Sequence, residues 1–149
     1  MYQHILVPTD GSELANKAVA EGAKLANALG SKLTILAVLV PIHVFPDYGP
    51  EGERAADKAR REALAFLEAE GRSRLGAAES VANSAGVIAE AVWVENIFPY
   101  EAIIATAKAK NADLIVMASH GRSGVKAALL GSVTQKVLSH TQIPVLVVR

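Results

Sequence analysis

Cysteine is absent from this chain, which excludes disulfides, thiolate catalysis and cysteine-ligated zinc or iron–sulfur sites. An excess of either charge is absent as well, because fifteen Lys and Arg residues balance fifteen Asp and Glu. A duplex nucleic-acid binder normally carries a basic excess or a basic stripe, so this balance argues against one. The sequence also has no apolar run long enough to span a bilayer, which takes about 20 residues. Its longest, around residues 33–42, reads as a buried strand. His4, His43, His120 and His140 show no metal-ligand spacing. Residues 1–7 enter a strand pattern at once, without a signal-peptide layout, so the expected location is the cytoplasm.

Several nucleotide and hydrolase signatures are missing too. There is no G-x-x-x-x-G-K-S/T, which excludes a P-loop NTPase, and no G-x-G-x-x-G after the first strand, which disfavours a dinucleotide-binding domain. No G-x-S-x-G elbow marks an α/β-hydrolase. A phosphorylatable receiver domain would want an Asp at the end of the third strand, where Val94 is followed by Glu95 and Asn96.

What is present is a regular alternation. With 149 residues, 51% of them hydrophobic and 20% charged, the chain has the size and composition of one globular domain, residues 1–149. Strands are predicted at 5–8, 33–40, 87–94, 114–117 and 145–148. Helices are predicted at 12–29, 51–84, 99–110 and 132–139. In the first helix Leu14, Ala18, Leu25 and Leu29 recur at helical spacing, and Gly30 fits the position just past its end. The second carries the opposite-charge pairs Asp57–Arg61 and Lys58–Glu62, with Ala59, Ala63, Phe66 and Leu67 as its apolar face. Gly71 and Gly76 predict a bend or break in it. Pro99 suits the first turn of the third helix, and Trp93 reads as a core residue. The order βαβαβαβαβ implies an open parallel sheet with helices on both faces.

In such sheets ligands bind beyond the carboxyl ends of the strands, where the strand order reverses. The unusual residues cluster in two loops of that kind. Thr9, Asp10, Gly11 and Ser12 follow the first strand, and residues 118–124 follow the fourth. Gly121 and Gly124 would let backbone approach a phosphate closely and adopt positive φ. Gly131 and Ser132 then open a helix, whose N-terminal amides and dipole favour an anion. Ser132 has a second reading as a helix cap, since Gln135 completes a capping-box pattern, and the two roles are compatible. Asp10 is equally open: with Glu13 three residues on it fits a cap, and at the crevice it fits a ribose hydroxyl or a metal–phosphate complex. Arg122 and Lys126 would add positive charge near phosphates, although solvated surface positions are commoner for such residues. His120 has no partner in sequence to orient it as a catalyst.

The residues also resemble the universal stress protein family along nearly the whole chain. The matching segments are Ile5-Leu6-Val7-Pro8-Thr9-Asp10-Gly11-Ser12, Asn111-Ala112-Asp113-Leu114-Ile115-Val116-Met117 and Ser119-His120-Gly121-Arg122-Ser123-Gly124. Leu130-Gly131-Ser132-Val133 and Ile143-Pro144-Val145-Leu146-Val147-Val148 complete the match. The resemblance implies an α/β fold of the adenine nucleotide alpha hydrolase type, with five parallel strands in the order 3-2-1-4-5. It also implies a homodimer through the last strand, Val145, Leu146, Val147 and Val148, whose apolar edge needs a partner. The ATP-binding branch carries G-x-x-G, nine residues, then G-S/T. Gly121, Gly131 and Ser132 match its second glycine, third glycine and hydroxyl, while Ala118 stands where the first glycine is usual. A backbone amide survives that change, and alanine fails only where φ must be positive. The nucleotide-binding set implied is Pro8, Thr9, Asp10, Val38, Met117, Ala118, His120, Gly121, Arg122, Gly124, Gly131, Ser132, Val133 and Thr134. Its ligand is ATP, or AMP or ADP, with Mg²⁺ reaching Asp10 only through the phosphates.

Three functions are therefore expected, in this order. The first is an ATP-binding regulatory protein that signals to a protein partner, hydrolyses slowly if at all, and contacts neither nucleic acid nor membrane interior. The second is an interaction module on the same dimeric scaffold that holds no nucleotide. The third is an ATP-using enzyme, for which His43 and Asp47 in the 41–50 loop are the polar candidates.

Overall fold

A parallel strand covered on both faces has no polar side to show, and its residues read as an unbroken apolar run. The three central strands of this chain are buried in that way, and the computed structural model assembles all five strands into one sheet. It describes residues 1–45, 49–122 and 129–149. The elements are β1 (His4–Thr9), α1 (Glu13–Leu29), β2 (Lys32–Leu39), α2 (Pro50–Ser84), β3 (Glu90–Glu95), α3 (Pro99–Ala109), β4 (Leu114–Ala118), α4 (Ser132–His140) and β5 (Val145–Val148). The order across the sheet is β3-β2-β1-β4-β5, every pairing is parallel, and the sheet is the one expected.

Side chains alternate across the sheet. Ile5, Val7, Ile35, Ala37, Leu114 and Val116 face α1 and α2, and Leu6, Leu36, Ile115 and Met117 face α3 and α4. The inner face of α1 is built from small residues, Ala15, Ala18, Val19, Gly22, Ala23 and Ala26, and not from the predicted leucines. Leu14 and Leu25 are half-buried, and Leu29 is exposed. Small side chains let the helix axis approach the sheet: a Cβ on Gly22 would sit 2.6 Å from Val7 Cγ2. Ser12 caps α1 by accepting a hydrogen bond from Ala15 N, and Gly30 (φ +67°) ends it in the left-handed conformation.

The predicted break in α2 does not occur; its 35 residues are continuous. Gly71 is buried there because a Cβ would press on Leu39 Cδ1 at 3.1 Å and Trp93 Cγ at 3.3 Å. It is a packing glycine, and the contact outweighs its low helix propensity. Apart from Ala56, the helix buries residues only from Leu67 onward, through Leu75, Ala78 and Ala82. Phe66 is 60% exposed and is no core residue. Lys58 does pair with Glu62, but Asp57 pairs with Arg60 one residue short of the partner expected. β3 begins at Glu90, three residues later than predicted, because Gly86 (φ +81°) and the Val87 N–Ala82 O hydrogen bond still belong to the end of α2. Trp93 packs, half-buried, against the α1/α2 side of the core.

The sheet's amino-terminal edge is fastened by polar groups. Asp113 accepts hydrogen bonds from Gln3 N and His4 N. Burial opposes its ionisation, but the His4 and Gln3 amides outweigh that and hold its carboxyl below the ordinary value. No helix among the described residues is long and apolar enough to cross a membrane.

Candidate functional site

The opposite edge of the sheet, where the strands end, is opened by the way β1 and β4 part. Their pairing covers only Ile5–Leu114 and Leu6–Ile115, although β1 runs on to Thr9 and β4 to Ala118. Pro8, two residues past the last pair, has no N–H to donate. Two loops enter the gap, and it is the point at which the strand order reverses.

The first loop is folded by its own side chains. Gly11 N donates to Thr9 Oγ1 at 3.1 Å, and Ser12 N donates to Asp10 Oδ1 at 2.9 Å. These local bonds bend the chain through Gly11, whose φ of +79° favours glycine. Asp10 is therefore not the helix cap; Ser12 holds that position, and the Asp10 carboxylate turns toward the second loop. There its Oδ2 accepts from Arg122 N at 2.8 Å. Burial alone would raise the Asp10 pKa. Hydrogen bonds from the Ser12 hydroxyl and amide and from the Arg122 amide reverse that, and the carboxyl is held below its ordinary value.

Gly121 is required by this contact. A Cβ there would fall on Asp10 Oδ2. Its φ is not in the positive region, so that part of the expectation fails, and the close approach made here is to a carboxylate. Ala118 also lacks a positive φ, and its methyl, 9% exposed, packs in the core without backbone strain.

The second loop is anchored at several points. Ser119 N donates to Val148 O at 2.8 Å, and Gly131 N donates to Ser119 O at 2.7 Å. A Cβ on Gly131 would meet His120 Cα at 3.1 Å, so this glycine too marks a close crossing. The buried Thr134 donates its hydroxyl to Ala118 O at 2.9 Å, tying the first turn of α4 to the end of β4. Gly131, not Ser132, is the residue before α4, and among the described residues no side chain caps the helix. The capping-box reading of Ser132 and Gln135 is thus displaced, because Gln135 Nε2 donates to Leu130 O instead. Ser132 is exposed in the first turn, beside amides that have no partner within their own helix. His120 Nδ1 lies 3.2 Å from Ser119 Oγ.

Most of the predicted set comes together here. Pro8, Thr9, Asp10, Met117, Ala118, His120, Gly121, Arg122, Gly131, Ser132, Val133 and Thr134 lie at the ends of β1 and β4, in the loops, or in the first turn of α4. Val38 lies near the end of β2, paired with Val94 and packed on the α3/α4 side. Gly124, Lys126 and Asp47 lie outside the described residues. His43 is exposed in the loop after β2. Among the described residues, no three His, Asp or Glu side chains cluster as a metal cage. Sequence reasoning missed Glu70 and Arg74. Both are on α2 and reach the loops, where Glu70 Oε1 accepts from Arg74 Nε at 3.1 Å and from Arg122 Nη1 at 3.3 Å. Their spacing signals a pair along one helix, but nothing in it signals Arg122.

Comparison with known proteins gives one consistent answer. The model of the universal stress protein family matches residues 1–149. The universal stress protein YxiE of Bacillus subtilis is 35% identical, with both chains covered in full. The solved structure of MJ0577, a universal stress protein of Methanocaldococcus jannaschii, superposes with a TM-score of 0.80 at 28% identity, covering 99% of this chain and 96% of the other. A universal stress protein solved in complex with cAMP superposes with a TM-score of 0.70 at 28% identity, covering 99% and 97%.

Proposed function

Because the chain belongs to the universal stress protein family, we propose that it is an adenine-nucleotide-binding regulatory protein whose site is the crevice between the ends of β1 and β4. The observation that carries this reading is a convergence. An ionised Asp10, a glycine seated against it, and an α4 first turn that no side chain among the described residues caps meet where a parallel sheet reverses its strand order. The cAMP complex of a similar protein supports the choice of an adenine nucleotide.

In this reading ATP is the ligand, and AMP and ADP compete for the same place. Backbone near Pro8, Thr9 and Val38 meets the base, and Met117 and Ala118 flank the ribose. The amides of Val133 and Thr134 and the Ser132 hydroxyl receive the phosphates, with Gly121, Arg122 and Gly131 shaping the loop over them and His120 beside it. The donor set suits Mg²⁺ only as a companion of the phosphates. Asp10 is a single carboxylate with both oxygens already accepting backbone amides, and Mg²⁺ normally keeps several waters and phosphate oxygens. When bound, the ion would neutralise phosphate charge. Any hydrolysis is slow in this reading, since among the described residues His120 is linked to Ser119 and not to a carboxylate that would orient it as a base.

The unit of function in this reading is a homodimer joined through β5, an edge strand with Leu146 44% exposed. The nucleotide state would be read by a protein partner. Isothermal titration with ATP, ADP and AMP, with and without Mg²⁺, tests the reading. Saturable heat from all three is expected, and no heat at millimolar nucleotide with the protein folded overturns it.

A further inference from the structure

Glu70 is unusual among the acidic residues of α2, because it closes on two arginines at once. Its Oε1 accepts from Arg74 Nε on its own helix and from Arg122 Nη1 on the loop after β4. The two arginines meet over Gly11. A Cβ at Gly11 would lie 3.1 Å from Arg74 Cγ and 3.2 Å from Arg122 Nη2, so the missing side chain makes room for both. Arg74 is largely covered, at 18% exposure, while Arg122 is 55% exposed. Arg122 is held at its other end as well, by its amide on Asp10.

Two guanidinium groups converging on one oxygen is a geometry that carboxylate and phosphate oxygens both accept. A single carboxylate satisfies it weakly here, since the pairs are partly solvated. A polyphosphate brings several negative charges to the same spot. We propose that Arg74 and Arg122 form an anion subsite for the terminal phosphates of the nucleotide, which the side chain of Glu70 occupies in the free chain. Glu70 then makes the crevice discriminate by phosphate number. A ligand with a long phosphate tail displaces it from the arginines, and a nucleoside leaves it in place. This rests on the nucleotide reading for its natural ligand, but the subsite has chemistry of its own that can be probed without a nucleoside.

The test titrates inorganic tripolyphosphate, and separately adenosine, into the full chain and its Glu70→Gln and Glu70→Gln/Arg74→Gln variants, with thermal melts confirming that each is folded. Glu70→Gln should bind tripolyphosphate about fivefold more tightly, the scale expected from freeing two partly exposed arginines. Adenosine affinity should not move. Adding Arg74→Gln should cancel the gain, and rising KCl should shrink it. Unchanged or weaker tripolyphosphate binding by Glu70→Gln overturns the subsite, since a carboxylate that only positions Arg122 would behave that way. A tripolyphosphate gain with no heat from adenosine or ATP in any variant upholds the subsite and removes the nucleotide reading instead.

Discussion

Adding one carbon at Gly121 should separate a site built on backbone approach from one built on side chains. In Gly121→Ala the new methyl falls on Asp10 Oδ2, the atom that accepts from Arg122 N at 2.8 Å. The loop must move, and the bond most directly lost is this charge-assisted one, which contributes about 1.5–3 kcal/mol. Alanine also stiffens the unfolded chain, which changes global stability by about 0.4–1 kcal/mol but leaves the balance between loop geometries in the folded chain untouched. The loop geometry that faces α4 becomes a minor state, and apparent nucleotide affinity falls with its population, roughly ten- to a hundredfold. Isothermal titration with ATP measures this directly. NMR titration of Asp10 gives a second reading, because removal of the amide bond should move its carboxyl up toward the ordinary value. ATP binding within about twofold of wild type, in a folded Gly121→Ala protein, would refute the reasoning, since noise in such affinities is well under the tenfold lower bound.

Two helical glycines should respond in opposite ways. Gly76→Ala meets nothing within 4 Å and should stabilise the protein by about 0.5–1 kcal/mol in urea unfolding. Gly22→Ala drives a methyl against Val7 Cγ2, and overpacking of about 1–3 kcal/mol should exceed the same helical gain. Asp113 supplies a pH signature. Its folded pKa lies below the ordinary 3.8, so its contribution is present above that value and disappears as pH falls below it toward the folded pKa. Asp113→Asn should therefore lower stability at neutral pH and flatten the acid limb of the stability–pH curve, read from urea midpoints. Leu146→Lys places a charge on the exposed Leu146 position of β5, and sedimentation should show the proposed dimer turning into monomer.

The alternation of elements was legible because buried parallel strands leave plain apolar runs and because Gly30 and Pro99 mark helix ends chemically. The glycines were legible as important but not for the right reason. Gly71 reads as a breaker until Leu39 and Trp93, distant in sequence, are packed on it, and Gly121 reads as a positive-φ turn open to a phosphate until Asp10 arrives beneath it. The capping pattern at the start of α1 occurs at overlapping offsets, with Asp10 before Glu13 and Ser12 beside it. The amides of Ser12 and Arg122, both on the Asp10 carboxylate, turn it away and leave Ser12 as the cap. Glu70 was invisible because its contact with Arg122 spans 52 residues and belongs to no periodic pattern.

The length of α2 has a thermodynamic consequence. At 1.5 Å per residue its 35 residues extend about 52 Å, and its buried anchors are concentrated in the half that begins at Leu67. Apart from the buried Ala56, the earlier half is solvent-exposed and carries ion pairs such as Asp57–Arg60 and Lys58–Glu62, each of which contributes a few tenths of a kcal/mol. One continuous helix thus belongs to two cooperative units. Its amides before Leu67 should exchange with solvent through local fraying, and those after Gly71 through opening of the sheet. Glu70 stands at the frontier between them.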